Sequence, residues 1–298
     1  MTALVSTLFL YFILFGNAQQ GPLTLNVIQF GAKPDGLSDA TKPFLRAWES
    51  ACAAKIASTI YVPKGGYYIR SAEFRGPCKK AIKVQIDGTF VDSMDYRDFG
   101  NPDYWILFIQ VNRLTLLGGS FDAKGAGYWA CKTSGQICPI GARSITFNWV
   151  NDAIISGLTS INSQLMHLVI DSCKNVKVSN VKIIAPDFSP NTDGIHVQSS
   201  TSLSQTPSSK QGMTVYQLGQ GQGICGWEKY NVGLDMDIGN LGRDFNEDGV
   251  VNVTLINSVF TGSDNGLRIK TWATPSRGFV KNIKYQNIVM KTWRIQLL

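Results

Sequence analysis

Five short stretches share one pattern: LTLLGGSF from Leu114, AIISGLTS from Ala153, VKVSNVKI from Val176, VTLINSVF from Val253 and IKYQNIVM from Ile283. Each alternates apolar residues with others, carries Gly or Asn at the fifth position, and then resumes with β-branched or apolar residues. Alternation at period two marks a strand with one buried face. Gly118, Gly157, Asn180, Asn257 and Asn287 are types that tolerate the left-handed backbone of a sharp bend. Between Ala153 and Val176 the pattern recurs after 23 residues, the length of one supersecondary unit stacked on the next. Turn signals for facing antiparallel strands are sparse, which argues against a β-sandwich. The expected fold is all-β, a parallel β-helix.

One helix is expected, over DATKPFLRAWESACAA from Asp39, with Asp39 or Thr41 as cap and Pro43 in its first turn. Phe44, Leu45, Trp48 and Ala51 share a face, so the helix can close the open end of a solenoid. The stretch GIHVQSSTSLSQTPSSKQGMTVYQLGQGQGICG from Gly194 is different. It starts as an alternating strand and within a few residues becomes a Ser, Thr and Gln mixture with the composition of a flexible connector.

Residues 3–15 form an apolar run followed by small Gly16 and Ala18, the pattern of a secretory signal cleaved after Ala18. The run carries no Lys or Arg before it and is short for a membrane span. The domain expectation is therefore a signal peptide over 1–18 and one β-helix domain over 19–298, secreted, with no membrane partner. Six cysteines then permit disulfides in fifteen connectivities, and the CKTSGQIC spacing of Cys131 and Cys138 points to one local staple. A net charge of +7 fits a polyanionic partner, and equally a merely soluble surface. Without a recognition-helix pattern or a clustered basic arm, that partner is not nucleic acid.

SPNTDGIHV places Asn191 and Asp193 in a turn that feeds a strand. Such a turn is either an Asx corner or the seat of a carboxylate for glycosidic cleavage. In DNGLRIKTW, Arg268 and Lys270 are two apart on a strand and emerge on one face, as a solvated basic face or as a clamp for a carboxylate. DFNEDG from Asp244 opens like a calcium loop, but its twelfth position is Leu255 where a glutamate is required, so no metal is expected. Asn252-Val253-Thr254 is a glycosylation sequon inside an expected strand.

Taken in order, NVIQFGAKPDGLSDAT, SPNTDGIHV, LGRDFNEDGVVNVTLINS and DNGLRIKTW closely resemble the pectin-hydrolysing polygalacturonase family, particularly its plant-type members. The resemblance spans roughly residues 25–290. It implies a right-handed parallel β-helix and cofactor-free, metal-free hydrolysis of α-1,4-galacturonosyl linkages with inversion. It also implies a polygalacturonate partner in the cell wall and action as a monomer. Asp193 matches one of three catalytic aspartates in the family, Asn191 belongs to the same turn and contributes to substrate binding, and the Arg268 and Lys270 pair matches the residues that bind the substrate carboxylate.

Two family motifs are missing. A Gly-Asp-Asp-Cys about twenty residues after the Asn-Thr-Asp turn is replaced by QGMTVYQLG, and a Gly-His-Gly further on by NVGLDMDIG. Read from the third base of each codon, residues 211–219 permit Gly-Asp-Asp-Cys-Ile-Ser-Ile-Gly, and residues 231–237 permit Cys-Gly-Pro-Gly-His-Gly. KTWRIQLL from Lys291 permits the family's continuation in the same frame. The expectation is a frame shift over about 203–237, a missing C-terminal cap, and a chain that is inactive as written. The alternative is a non-catalytic polygalacturonate-binding protein, or a product that does not fold.

Overall fold

The computed structural model describes residues 21, 23–99, 103–186, 189, 192–206, 216–218, 221–232, 236–247, 249–261 and 267–291. They wind into a right-handed parallel β-helix whose strands form one sheet of fifteen and one of eight. The smaller sheet contains, in spatial order, Ala72–Arg75, Tyr104–Ile109, Arg143–Asn148, Leu168–Asp171, Ile195–Gln198, Tyr216–Leu218, Met236–Leu241 and Leu267–Thr271. Spatial order equals chain order, as it must when each coil adds one rung.

One coil illustrates the rest. Leu168–Asp171 lies in the smaller sheet, and Lys174–Ser179 and Lys182–Ile184 lie in the larger one. Each leg pairs in parallel with the previous coil, Leu168 with Ile145, Val176 with Ala153 and Ile183 with Ser160. Left-handed residues make the corners: Trp149, Ser172 and Ser199 after strands of the smaller sheet, and Gly118, Gly157 and Asn180 within the larger. Asn287 is left-handed as expected, and Asn257 falls inside the Val250–Thr261 strand. At Gly118 a side chain is excluded twice over, because φ is 70° and a Cβ would lie 2.6 Å from the Ile86 carbonyl oxygen. Amide ladders lock stacked corners: Asn175 Nδ2 donates to Asp152 Oδ1 at 2.9 Å and Asn282 Nδ2 to Asn252 Oδ1 at 3.0 Å.

Inside, aromatic rings repeat rung by rung. Phe74, Phe108 and Phe147 stack with centroids 5.0 and 5.3 Å apart, following the register of their strands. Helix α1, Thr41–Ala53, covers this end, with Trp48 packed on Phe74 and Phe108 and Phe44 on Tyr67 and Phe90. Its cap differs from the expectation. Ala40 occupies the N-cap position without a side-chain bond, and Asp39 one residue earlier accepts the Thr41 N–H at 2.8 Å.

The aperiodic Ser/Gln stretch also differs from its sequence pattern. Thr201–Thr206, Tyr216–Leu218, Gly221–Val232 and Met236–Leu241 are strands in register with the coils on either side. Backbone pairing along a solenoid needs only N–H and C=O groups presented at the rung spacing, so regular neighbours can template a rung whose side chains carry no period.

Among the described residues two disulfides are formed, Cys52–Cys78 and the expected local staple Cys131–Cys138, while Cys173 is a buried thiol. Cys52–Cys78 ties α1 to the chain entering the next rung, where the Lys79 N–H also donates to the Cys52 carbonyl at 3.0 Å. Closing that loop constrains the unfolded chain. The Cys52→Ser/Cys78→Ser variant is expected to lose about 3 kcal/mol in denaturant unfolding. An unchanged midpoint would mean that the helical cap is held by packing alone.

Candidate active site

Asp193 lies in the turn that feeds Ile195–Gln198, half-buried, with its carbonyl accepting the His167 N–H at 2.8 Å. The turn is held from within. Ser189 Oγ meets Thr192 Oγ1 at 2.5 Å and donates to the Pro186 carbonyl at 2.7 Å. Both hydroxyl residues are buried, which fixes the backbone immediately before Asp193. Asn191 lies outside the described residues.

Arg268 and Lys270 project from the last described rung of the same sheet, Leu267–Thr271, Arg268 half-buried and Lys270 exposed. Register runs Ile195 to Tyr216, Tyr216 to Met236 and Met236 to Leu267. The basic pair is therefore three rungs from the Asp193 strand, roughly 14 Å at ordinary strand spacing. Asp193, in the turn that feeds Ile195–Gln198, and the Arg268 and Lys270 pair are thus carried by rungs of the same sheet. The two rungs between them read Tyr-Gln-Leu and Met-Asp-Ile-Gly-Asn-Leu. Only Asp237 there carries a carboxylate, and its register partner is Arg268.

Behind Asp193 lies a buried polar layer. His167 is wholly buried, its Nδ1 2.8 Å from Ser160 Oγ and its Nε2 without a hydrogen-bond partner. Ser144 Oγ donates to Ser163 Oγ at 2.7 Å, Ser163 Oγ to the Met166 carbonyl at 2.9 Å, and Gln164 Oε1 accepts the Ala142 N–H at 3.1 Å. Burial pulls the His167 imidazole down to about 3, so it is neutral and cannot serve as a proton donor at ordinary pH. It sits at the bend before Leu168–Asp171, inside the core.

Asp92 is a buried carboxylate just past a strand end. It follows the strand Ile82–Val91, in which Phe90 faces inward, so period two places Asp92 inward as well, and it is 5% exposed. Its Oδ1 accepts the Ser93 N–H at 2.6 Å, while Oδ2 has no partner. Burial first, then the nearby Asp98 and Asp122, push its carboxyl up to about 8 against the Ser93 bond.

The other sequence features resolve as structure. The calcium-like DFNEDG is organised by a protein anion, since buried Glu247 accepts the Gly242 and Asp244 N–H groups, each at 2.6 Å. Asn252 is exposed at a left-handed corner. Residues 1–20 and 292–298, with the expected signal and chain end, lie outside the described residues. No helix among the described residues is long and apolar enough to cross a membrane.

Comparison with known proteins agrees with the geometry. Residues 52–296 match the model of the glycosyl hydrolases family 28. A polygalacturonase of Prunus persica is 42% identical over 298 residues, covering 97% of this chain and 75% of that protein. One from Gossypium barbadense is 35% identical, covering 96% and 72%. Among solved structures, the polygalacturonase of Erwinia carotovora superposes with a TM-score of 0.65 at 19% identity, over 91% of this chain and 77% of that one. An endo-xylogalacturonan hydrolase of Aspergillus tubingensis gives 0.69 at 21%, over 89% and 75%. The chain belongs to family 28 of the glycosyl hydrolases, a glycosidase by descent, and carries that family's β-helix.

Proposed function

We infer that the chain descends from an inverting hydrolase of α-1,4-galacturonosyl linkages in cell-wall pectin, and that as written it holds polygalacturonate without cleaving it. One observation carries this reading: the rungs between Asp193 and Arg268 hold Tyr216–Leu218 and Met236–Leu241, where the family motifs would supply an aspartate pair and a histidine. Inverting hydrolysis needs a general acid on one side of the scissile oxygen and a carboxylate-activated water on the other. Asp193 supplies one carboxylate of that set. The proposed roles are Asp193 in water activation, Arg268 and Lys270 as the carboxylate clamp, and Asn191 in substrate contact.

The retained pair favours binding. A guanidinium and an ammonium two residues apart on a sheet face match the repeated carboxylates of a polyuronate. Secretion, action as a monomer and glycosylation at Asn252 belong to the same reading. Asn252 is exposed, although its Oδ1 already serves Asn282.

Purified chain incubated with polygalacturonic acid is expected to release no reducing ends above the uncatalysed background. Arg268→Ala/Lys270→Ala is expected to weaken its retention on insoluble polygalacturonate by at least about tenfold. Turnover comparable with intact relatives sinks the inactive reading. Sequencing the gene across codons 200–240 tests the frame shift, which fails if the other frame cannot encode both motifs.

A further inference from the structure

We propose that the corner where the smaller sheet passes into the larger one, around Trp149, is a second polyuronate-binding surface, separate from the Asp193 rung. The proposal rests on the reading of polygalacturonate as this chain's polymer, and it concerns a different face.

Trp149 follows the strand Arg143–Asn148, sits in the left-handed region at φ 49° and is 53% exposed. A large aromatic residue in that backbone conformation is uncommon and costs on the order of 1 kcal/mol. Its ring is nonetheless presented to solvent, where burial returns little. The same position is Ser172 and Ser199 on the following coils, so the corner itself does not require an aromatic residue.

The neighbouring outer face is cationic. Lys83, Thr115, Ile154 and Lys177 form one register row, with Val84, Leu116, Ile155 and Val178 of the next row buried beneath. Ile154 is 43% exposed between Thr115 and Lys177. Closer to the corner, exposed Lys174 pairs in register with Asn151, and the exposed Arg113 N–H donates to the Asn151 carbonyl at 2.9 Å. None of Lys83, Arg113, Lys174 and Lys177 makes an ion pair among the described residues. Two acids lie on this edge and both are engaged: Asp152 Oδ1 accepts from Asn175 Nδ2 at 2.9 Å, and Asp171, whose carbonyl accepts the Trp149 N–H at 3.1 Å, accepts at Oδ1 from Ser172 Oγ at 3.0 Å.

An exposed indole suits the apolar face of a pyranose ring, and cations spaced over successive rungs suit carboxylates spaced along a polymer. Neutral glycan has no use for the lysines, and a compact anion has no use for the indole. The combination selects an acidic polysaccharide. Such a surface holds the protein on its polymer whether or not the Asp193 rung is occupied.

The test is retention of the full chain on immobilised polygalacturonate and on an uncharged galactan, across a salt series. Trp149→Ala is expected to weaken retention about fivefold to tenfold, and Lys174→Glu/Lys177→Glu at least tenfold with a shallower salt dependence. Both variants are expected to keep the wild-type thermal midpoint and circular dichroism, because these side chains are solvent-facing. Retention that survives Arg268→Ala/Lys270→Ala but falls with Trp149→Ala supports this surface even if the Asp193 reading fails. Retention lost with Arg268→Ala/Lys270→Ala and unaffected by the Trp149 and lysine variants overturns it and leaves the other reading standing. Equal retention on the uncharged galactan overturns it as well.

Discussion

Rebuilding residues 203–237 from the alternative reading frame is expected to raise reducing-end release from polygalacturonate by at least about 10⁴-fold over the chain as written. The magnitude follows from what is missing. Loss of general-acid assistance alone costs roughly 10² to 10⁴, and residues that act as a unit cost more when they are lost together. The β-helix can take the repair without redesign, because Tyr216–Leu218 and Met236–Leu241 are already paired rungs of the smaller sheet. Replacing side chains on a paired backbone leaves the ladder intact. Asp193→Asn in the repaired protein should abolish the gain and leave binding in place. If the repaired protein folds, retains Arg268-dependent binding and still releases no reducing ends, the catalytic assignment of Asp193 falls while the carboxylate clamp survives.

The fold was legible because a solenoid repeats its demands: alternating apolar residues and a left-handed residue at each corner recur in Gly118, Gly157 and Asn180, and one pattern accounts for many coils. The Arg268 and Lys270 face was legible for the same reason, since strand period alone puts both on one side. The strands through the Ser/Gln stretch were not legible, because their pairing is imposed by neighbouring coils and leaves no trace in residue type. The loop organised by backbone N–H groups around Glu247 was also hidden. Its sequence only opens like a calcium loop, and in the fold a buried carboxylate satisfies the backbone N–H groups itself. Asp92 and His167 were illegible as a pair, since each is one polar residue at an otherwise ordinary position, and only burial makes it consequential.

Those two residues are expected to give the folded chain a pH response of opposite slopes. Asp92 titrates near 3.8 when unfolded and at about 8 when folded. Between those values the unfolded chain has released a proton that the native chain keeps, so Asp92 makes stability fall as pH rises. His167 titrates near 6.5 unfolded and at about 3 folded. Between those values the unfolded chain binds a proton that the native chain refuses, so His167 makes stability fall as pH drops. From roughly pH 4 to 6.5 both slopes operate, each up to about 1.4 kcal/mol per pH unit, and they cancel. Above that window Asp92 acts alone, and below it His167 does.

Asp92→Asn keeps an acceptor for the Ser93 N–H and removes the charge that would face Asp98 and Asp122, the latter paired with Lys124 at 2.6 Å. It is expected to stabilise the fold on the order of 3 kcal/mol at pH 7, a rise of about 6 °C in Tm, and to change little at pH 4. His167→Gln changes packing as well as charge, so its diagnostic is slope: the near-level profile between pH 6 and pH 4 should tilt, with stability rising as pH drops on the Asp92 slope alone. The two sites share no hydrogen-bond partner among the described residues, so the double variant should add the single effects. A melting curve series at four pH values decides it. If Asp92→Asn gains no more at pH 7 than at pH 4, its carboxyl is already ionised in the native chain and is held by contacts other than burial.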